Sequence, residues 1–97
     1  MAGRIQSYIH SDSVVPSKGG CLVEVRCQTD FASKTDEFIA FAGEVAKLMY
    51  AYGAQNWEEL VEHRPDLETN RCKLEQELKE EIRIGTFVVL RLGEDTT

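Results

Sequence analysis

The cleanest alternation of apolar and polar positions runs through Cys21-Leu22-Val23-Glu24-Val25-Arg26-Cys27. Cys21, Val23, Val25 and Cys27 share one face there, and Leu22, Glu24 and Arg26 the other. A period of two marks a half-buried strand. A looser alternation from Arg4 to His10, with Ile5, Ser7 and Ile9 opposite Gln6, Tyr8 and His10, predicts an earlier strand. Ser11-Asp12-Ser13 and the run from Pro16 to Gly20 supply the turn residues between them. So short a connection makes the pair antiparallel, because a parallel pair needs a longer crossover. Val14 and Val15 fit either a strand extension or packing beneath the loop.

The period then changes. Phe38, Phe41, Ala42, Val45, Met49 and Tyr52 recur at helical spacing, widened by Ile39, Ala46 and Leu48, and Gly53 is placed to end the helix. Asn56-Trp57-Glu58-Glu59 reads as a cap with an acidic first turn, opening a short helix through Leu60 and Val61 that Arg64-Pro65 breaks. Trp57 stands where its ring can cover the core edge. Asp66 or Thr69 is expected to cap a third, highly charged helix with the stripe Leu67, Leu74, Leu78 and Ile82, stopped by Gly85. Thr86-Phe87-Val88-Val89-Leu90-Arg91-Leu92 predicts a last strand. The order β-β-α-α-α-β predicts an α+β, two-layer fold: a three-stranded antiparallel sheet with helices on one face. Leu22 and alternate positions of the last strand would form an apolar patch on the open face, an expectation of self-association.

Size and charge narrow the partners. The 97 residues make one domain, 1–97, with the ends 1–3 and 94–97 expected to fray. A net charge of −6, with acids concentrated from Glu58 to Glu81, disfavours a phosphate-facing surface, so nucleic acid is not expected as a partner. No apolar run reaches the ~20 residues that cross a bilayer, and the start lacks a secretory signal; no membrane association and a cytoplasmic location are expected. Three cysteines without a secretory signal favour reduced thiols. Cys21 and Cys27 lie ~20 Å apart along a regular strand, too far for a redox pair or shared zinc. Neither His10 nor His63 sits in a ligand motif, and no catalytic triad or glycine-rich phosphate loop stands out. Neither a metal, a cofactor nor covalent catalysis is expected, with a thiol enzyme using Cys27 as the remaining enzymatic alternative. The Glu-rich run from Glu75 to Glu81 reads most simply as a solvated helix face, or else as a contact for a basic partner.

At Cys27-Gln28-Thr29-Asp30-Phe31-Ala32-Ser33 strand gives way to helix. Thr29, Asp30, Ser33 and Thr35 can each cap a first helical turn, which would make the segment rigid. Phe31 is open to two readings. It is the first core residue of the helix, the commoner fate of a Phe, or it projects outward as a wedge that loses little entropy on docking.

The run Leu22 to Phe31, with Ser7-Tyr8-Ile9-His10 before it, Phe38 after it and the closing Ile84-Gly85 strand, resembles the core domain of translation elongation factor Ts. The resemblance implies an exchange factor that binds the GTPase elongation factor Tu and promotes GDP release by inserting an Asp-Phe tip between helices of its nucleotide domain. Phe31 would be the wedge, Asp30 its polar companion and Thr29 the residue holding the turn, with Cys27, Gln28 and Ala32 in support. Three features depart from the family: Ala32 stands in place of a larger Val, Arg26 in place of Asn, and the Ser11-to-Gly20 loop is longer. The family's N-terminal helical module and second core copy have no counterpart here, so a fragment or a minimal member is expected. Short members pair as homodimers through their sheets. The alternative is a Tu-binding module or homodimerisation domain without exchange activity of its own.

Overall fold

The computed structural model describes residues 2–93. Its sheet has the order β1-β2-β3, with β2 (Gly19–Cys27) paired antiparallel to β1 (Ala2–His10) on one side and β3 (Arg83–Arg91) on the other. Having neighbours on both edges gives β2 the strictest alternation: Cys21, Val23, Val25 and Cys27 are buried, while Leu22 points to the open face. Between the strands run α1 (Asp30–Ser33), α2 (Asp36–Tyr52), α3 (Trp57–His63) and α4 (Asp66–Leu78). This is the expected α+β order and layering, with one addition, the single turn α1.

The core lies between the sheet and α2, which packs on β1 and β2 and receives α3 and α4 on its other side. Phe38, Val45 and Met49 of α2, Leu60 of α3 and Leu67 of α4 are fully buried. Trp57 meets Phe41 edge-on, with ring centroids 6.4 Å apart, closing the side of the core. The Thr35 hydroxyl accepts from the Phe38 N–H and the Asn56 side chain from the Glu59 N–H, while Gly53 ends α2 in the left-handed region at φ 63°. These are the local signals read from the sequence. Val14 and Val15 extend neither strand and lie in the β1–β2 loop, where the Asp12 carboxylate accepts from both of their N–H groups and from Lys18 Nζ.

Several boundaries differ from expectation. Strand β1 begins at Ala2, because Ala2 and Gly3 pair with Cys27 and Arg26; Met1 and residues 94–97 lie outside the described residues. Helix α4 has no side-chain N-cap because its N-cap position is Pro65, which carries no side-chain acceptor. Asp66 is the first helical residue, with both carboxylate oxygens on the Arg64 guanidinium at 2.9 Å, and Thr69 lies inside the helix. The helix ends at Leu78, where Lys79 turns left-handed at φ 58°, so Ile82 is not helical although it is fully buried. Gly85 is not a stop but sits inside β3, which starts at Arg83. Val23 pairs with Phe87 and Val25 with Ile84, so Gly85 and Thr86 together oppose Glu24 in a β-bulge. A Cβ at Gly85 would collide with Glu24 Oε1, which already accepts from the Thr86 N–H and from Arg26 Nε.

Candidate functional site

At the end of β2 the chain turns through Gln28 and Thr29 into α1. Thr29 is extended (φ −129°, ψ 151°), and its hydroxyl oxygen accepts from the Ala32 N–H at 3.2 Å. Ser33 Oγ donates to the Asp30 carbonyl at 2.8 Å, and Thr35 Oγ1 donates to the Ala32 carbonyl at 2.9 Å. Arg4 Nη1, reaching from β1, donates to the Ser33 carbonyl at 2.9 Å. Ala32 and Ser33 are buried and form the seat of α1. Successive helical residues are turned about 100° apart, so seating these two throws their predecessor outward: Phe31 is 83% exposed, and Asp30 beside it is exposed too. Phe31 is therefore not the first core residue of the helix but projects outward.

The supporting residues divide. Cys27 is buried under the turn, its thiol donating to the Thr29 carbonyl at 3.1 Å. Burial, then the Glu80 carboxylate, push that thiol's pKa up, and burial alone pushes Cys21 up to about 11. A protonated, enclosed sulfur is the opposite of an activated nucleophile. Ala32 belongs to the seat and not to the exposed tip, so a small residue there alters packing beneath Phe31 and leaves the projecting surface unchanged. Arg26 is ion-paired to Glu24 at 2.8 Å on the open sheet face and takes no part in the tip. Among the described residues, no group of three His, Cys, Asp or Glu side chains is placed to hold a metal ion.

One tip residue was invisible in the sequence. Glu80, in the α4–β3 connection, accepts from the Gln28 N–H at 2.9 Å and the Thr29 N–H at 3.0 Å through Oε1, and from the Thr29 hydroxyl through Oε2. Gln28 returns the contact, its side-chain oxygen accepting from the Glu81 N–H at 3.3 Å. The Thr29 hydroxyl, followed by the Thr29 and Gln28 amides, holds the Glu80 carboxyl below its ordinary value. Nothing in a Glu-rich run fifty residues downstream distinguishes this glutamate from its solvated neighbours.

No protein-family model matches the chain. Among curated proteins, Elongation factor Ts of Clostridium botulinum (strain Alaska E43 / Type E3) is 35% identical over 95 residues, which is 98% of this chain and 27% of that protein. Elongation factor Ts of Nautilia profundicola is 38% identical over 90 residues, 92% of this chain and 27% of that protein. Elongation factor Ts of Ralstonia pickettii is 48% identical over 52 residues, covering 50% of this chain and 18% of its own length. The chain thus spans about a quarter of the length of the first two.

Proposed function

The chain is related in sequence to elongation factor Ts along nearly all of its length, and from that premise we propose that it binds elongation factor Tu and promotes GDP release with the Asp30-Phe31 tip. The observation that carries this reading is a large aromatic, 83% exposed, on a single helical turn capped at its start by the Thr29 hydroxyl and braced by Glu80 on the Gln28 and Thr29 amides. Burying such a ring in an apolar groove is worth roughly 1.5–3 kcal/mol. If the groove opens only in the nucleotide-free GTPase, that energy becomes coupling between the two ligands. By linkage, GDP then weakens the complex by the same factor as the complex weakens GDP. No side chain of this domain needs to take part in covalent chemistry, and a role in translation implies work in the cytoplasm.

The test is release of labelled GDP from elongation factor Tu. Wild type should accelerate it, and Phe31→Ala should lose roughly tenfold or more of the effect. Equal acceleration by the two proteins would remove the tip from the mechanism. The open sheet face, with Ile5, Ile9, Leu22, Val88 and Leu90 exposed, favours a second reading: a Tu-binding or homodimerisation domain without exchange activity. That reading expects a complex on a sizing column and an unchanged GDP off-rate.

A further inference from the structure

A projecting ring is useful only if its base does not give. The base of this tip is a two-residue turn, Gln28-Thr29, whose two N–H groups point away from the sheet and the helices and toward the α4–β3 connection. A single carboxylate meets both of them and the Thr29 hydroxyl as well. The Thr29 hydroxyl is thereby oriented: its proton goes to Glu80, which leaves its lone pairs for the Ala32 N–H it caps.

The carboxylate is itself held by a fixed support. Lys79 turns the chain out of α4 in the left-handed region. Three residues later Ile82 is buried and tied at both backbone groups: its N–H donates to Glu75 Oε2 at 2.8 Å and its carbonyl accepts from Arg71 Nη1 at 2.9 Å. Arg71 is in turn paired with Glu75 at 2.9 Å and Glu68 on the same helix. Glu80 therefore stands between two anchored points, the end of α4 and Ile82, and links the tip to α4 across some fifty residues of sequence.

We propose that Glu80 is a positioning residue for the tip, fixing the Gln28-Thr29 turn and the Thr29 cap so that Phe31 leaves the domain in one direction. The inference rests on the exchange reading above for its consequence, but not for its geometry. Charge-assisted hydrogen bonds are stronger and more directional than neutral ones, and Phe31 reaches any partner only through the backbone they hold. The contacts Glu80 makes at the tip are with the Gln28 and Thr29 amides and the Thr29 hydroxyl, so on this proposal it acts through Phe31 and the two should behave as one unit.

The experiment uses the full chain with Glu80→Ala, Glu80→Gln and Phe31→Ala, and the double variant Glu80→Ala/Phe31→Ala. Amide hydrogen exchange in the free protein reads the clamp directly. Glu80→Ala should speed exchange at Gln28 and Thr29 roughly tenfold while amides of α2 are unchanged. Glu80→Gln, which keeps one acceptor oxygen for the two amides, should lie between. In GDP release from elongation factor Tu, Glu80→Ala should raise the half-saturating concentration roughly tenfold and add no further loss in the Phe31→Ala background. Unchanged exchange at Gln28 and Thr29 would overturn the clamp. A loss of activity of the same size with Phe31 already removed would overturn positioning and mark a general structural defect. A wild type that leaves GDP release unaltered sinks the exchange reading and the functional half of this one, while the amide data still judge the clamp.

Discussion

Phe31 and Phe38 stand seven residues apart and meet opposite fates, the first 83% exposed and the second fully buried on the core-facing side of α2. Their truncation should separate fold from function. Phe38→Ala removes a ring from a close-packed core and should cost about 3–5 kcal/mol, whereas Phe31→Ala should change stability by less than about 0.5 kcal/mol. Urea denaturation followed by circular dichroism gives both values. A large loss with Phe31→Ala would mean that the ring packs on its own domain in solution. The exposed ring could not be read from hydrophobicity, because a Phe is more often interior. What turns it out is the seat formed by Ala32 and Ser33 together with the Thr29 cap, which two small residues and a threonine announce only once the start of α1 is known.

Among the elements, those whose ends depend on neighbours in sequence were legible: the Thr35 and Asn56 caps, the Gly53 stop and the period-two pattern of β2 all act within four residues. The α4–β3 joint was not, because its course is set from afar. The apolar stripe of α4 continues at helical spacing to Ile82, yet Ile82 is buried by a chain that has already left the helix and is held there by Arg71 and Glu75. Gly85 read as a helix stop and is instead the residue that makes room for Glu24 in the bulge. The two left-handed helix ends, Gly53 after α2 and Lys79 after α4, offer a test at this scale. A Cβ added at Gly53 would have its nearest neighbour, Arg91 Nη2, at 3.8 Å, so Gly53→Ala meets no clash and should cost only the left-handed penalty, about 1 kcal/mol. Lys79, at φ 58°, already bears that penalty. Lys79→Gly should therefore stabilise by about 0.5–1 kcal/mol, after the greater chain entropy of glycine is subtracted. Opposite shifts in urea midpoint are expected; a destabilising Lys79→Gly would show that the lysine stem packs usefully at the joint.

At the scale of the whole molecule the open sheet face is divided. Ser7, Leu22 and Val88 lie in one cross-strand row, and Ile9, Gly20 and Leu90 in the next, so the apolar side chains gather toward the β1–β2 loop. Toward the other end the same face carries the Glu24–Arg26 ion pair and Thr86, with Ile5 opposite Glu24 as the one large apolar side chain there among the described residues. The tip follows Cys27 at that polar end, about 17 Å along β2 from Leu22. A second copy laid across the apolar rows would therefore leave Phe31 clear, and dimerisation and GTPase binding would use separate ends of one sheet. In a two-fold arrangement each substitution enters the interface twice. Leu22 is 47% exposed in the single chain, so Leu22→Asp should leave the fold intact while burying two uncompensated carboxylates in any dimer. Sedimentation velocity over a range of concentrations should show a dimer for wild type and a monomer for Leu22→Asp, with the dimer dissociation constant raised roughly a hundredfold or more. A wild type that sediments as a monomer throughout that range would leave the face for a different covering, whereas a Leu22→Asp variant that stays dimeric would move the contact to another surface.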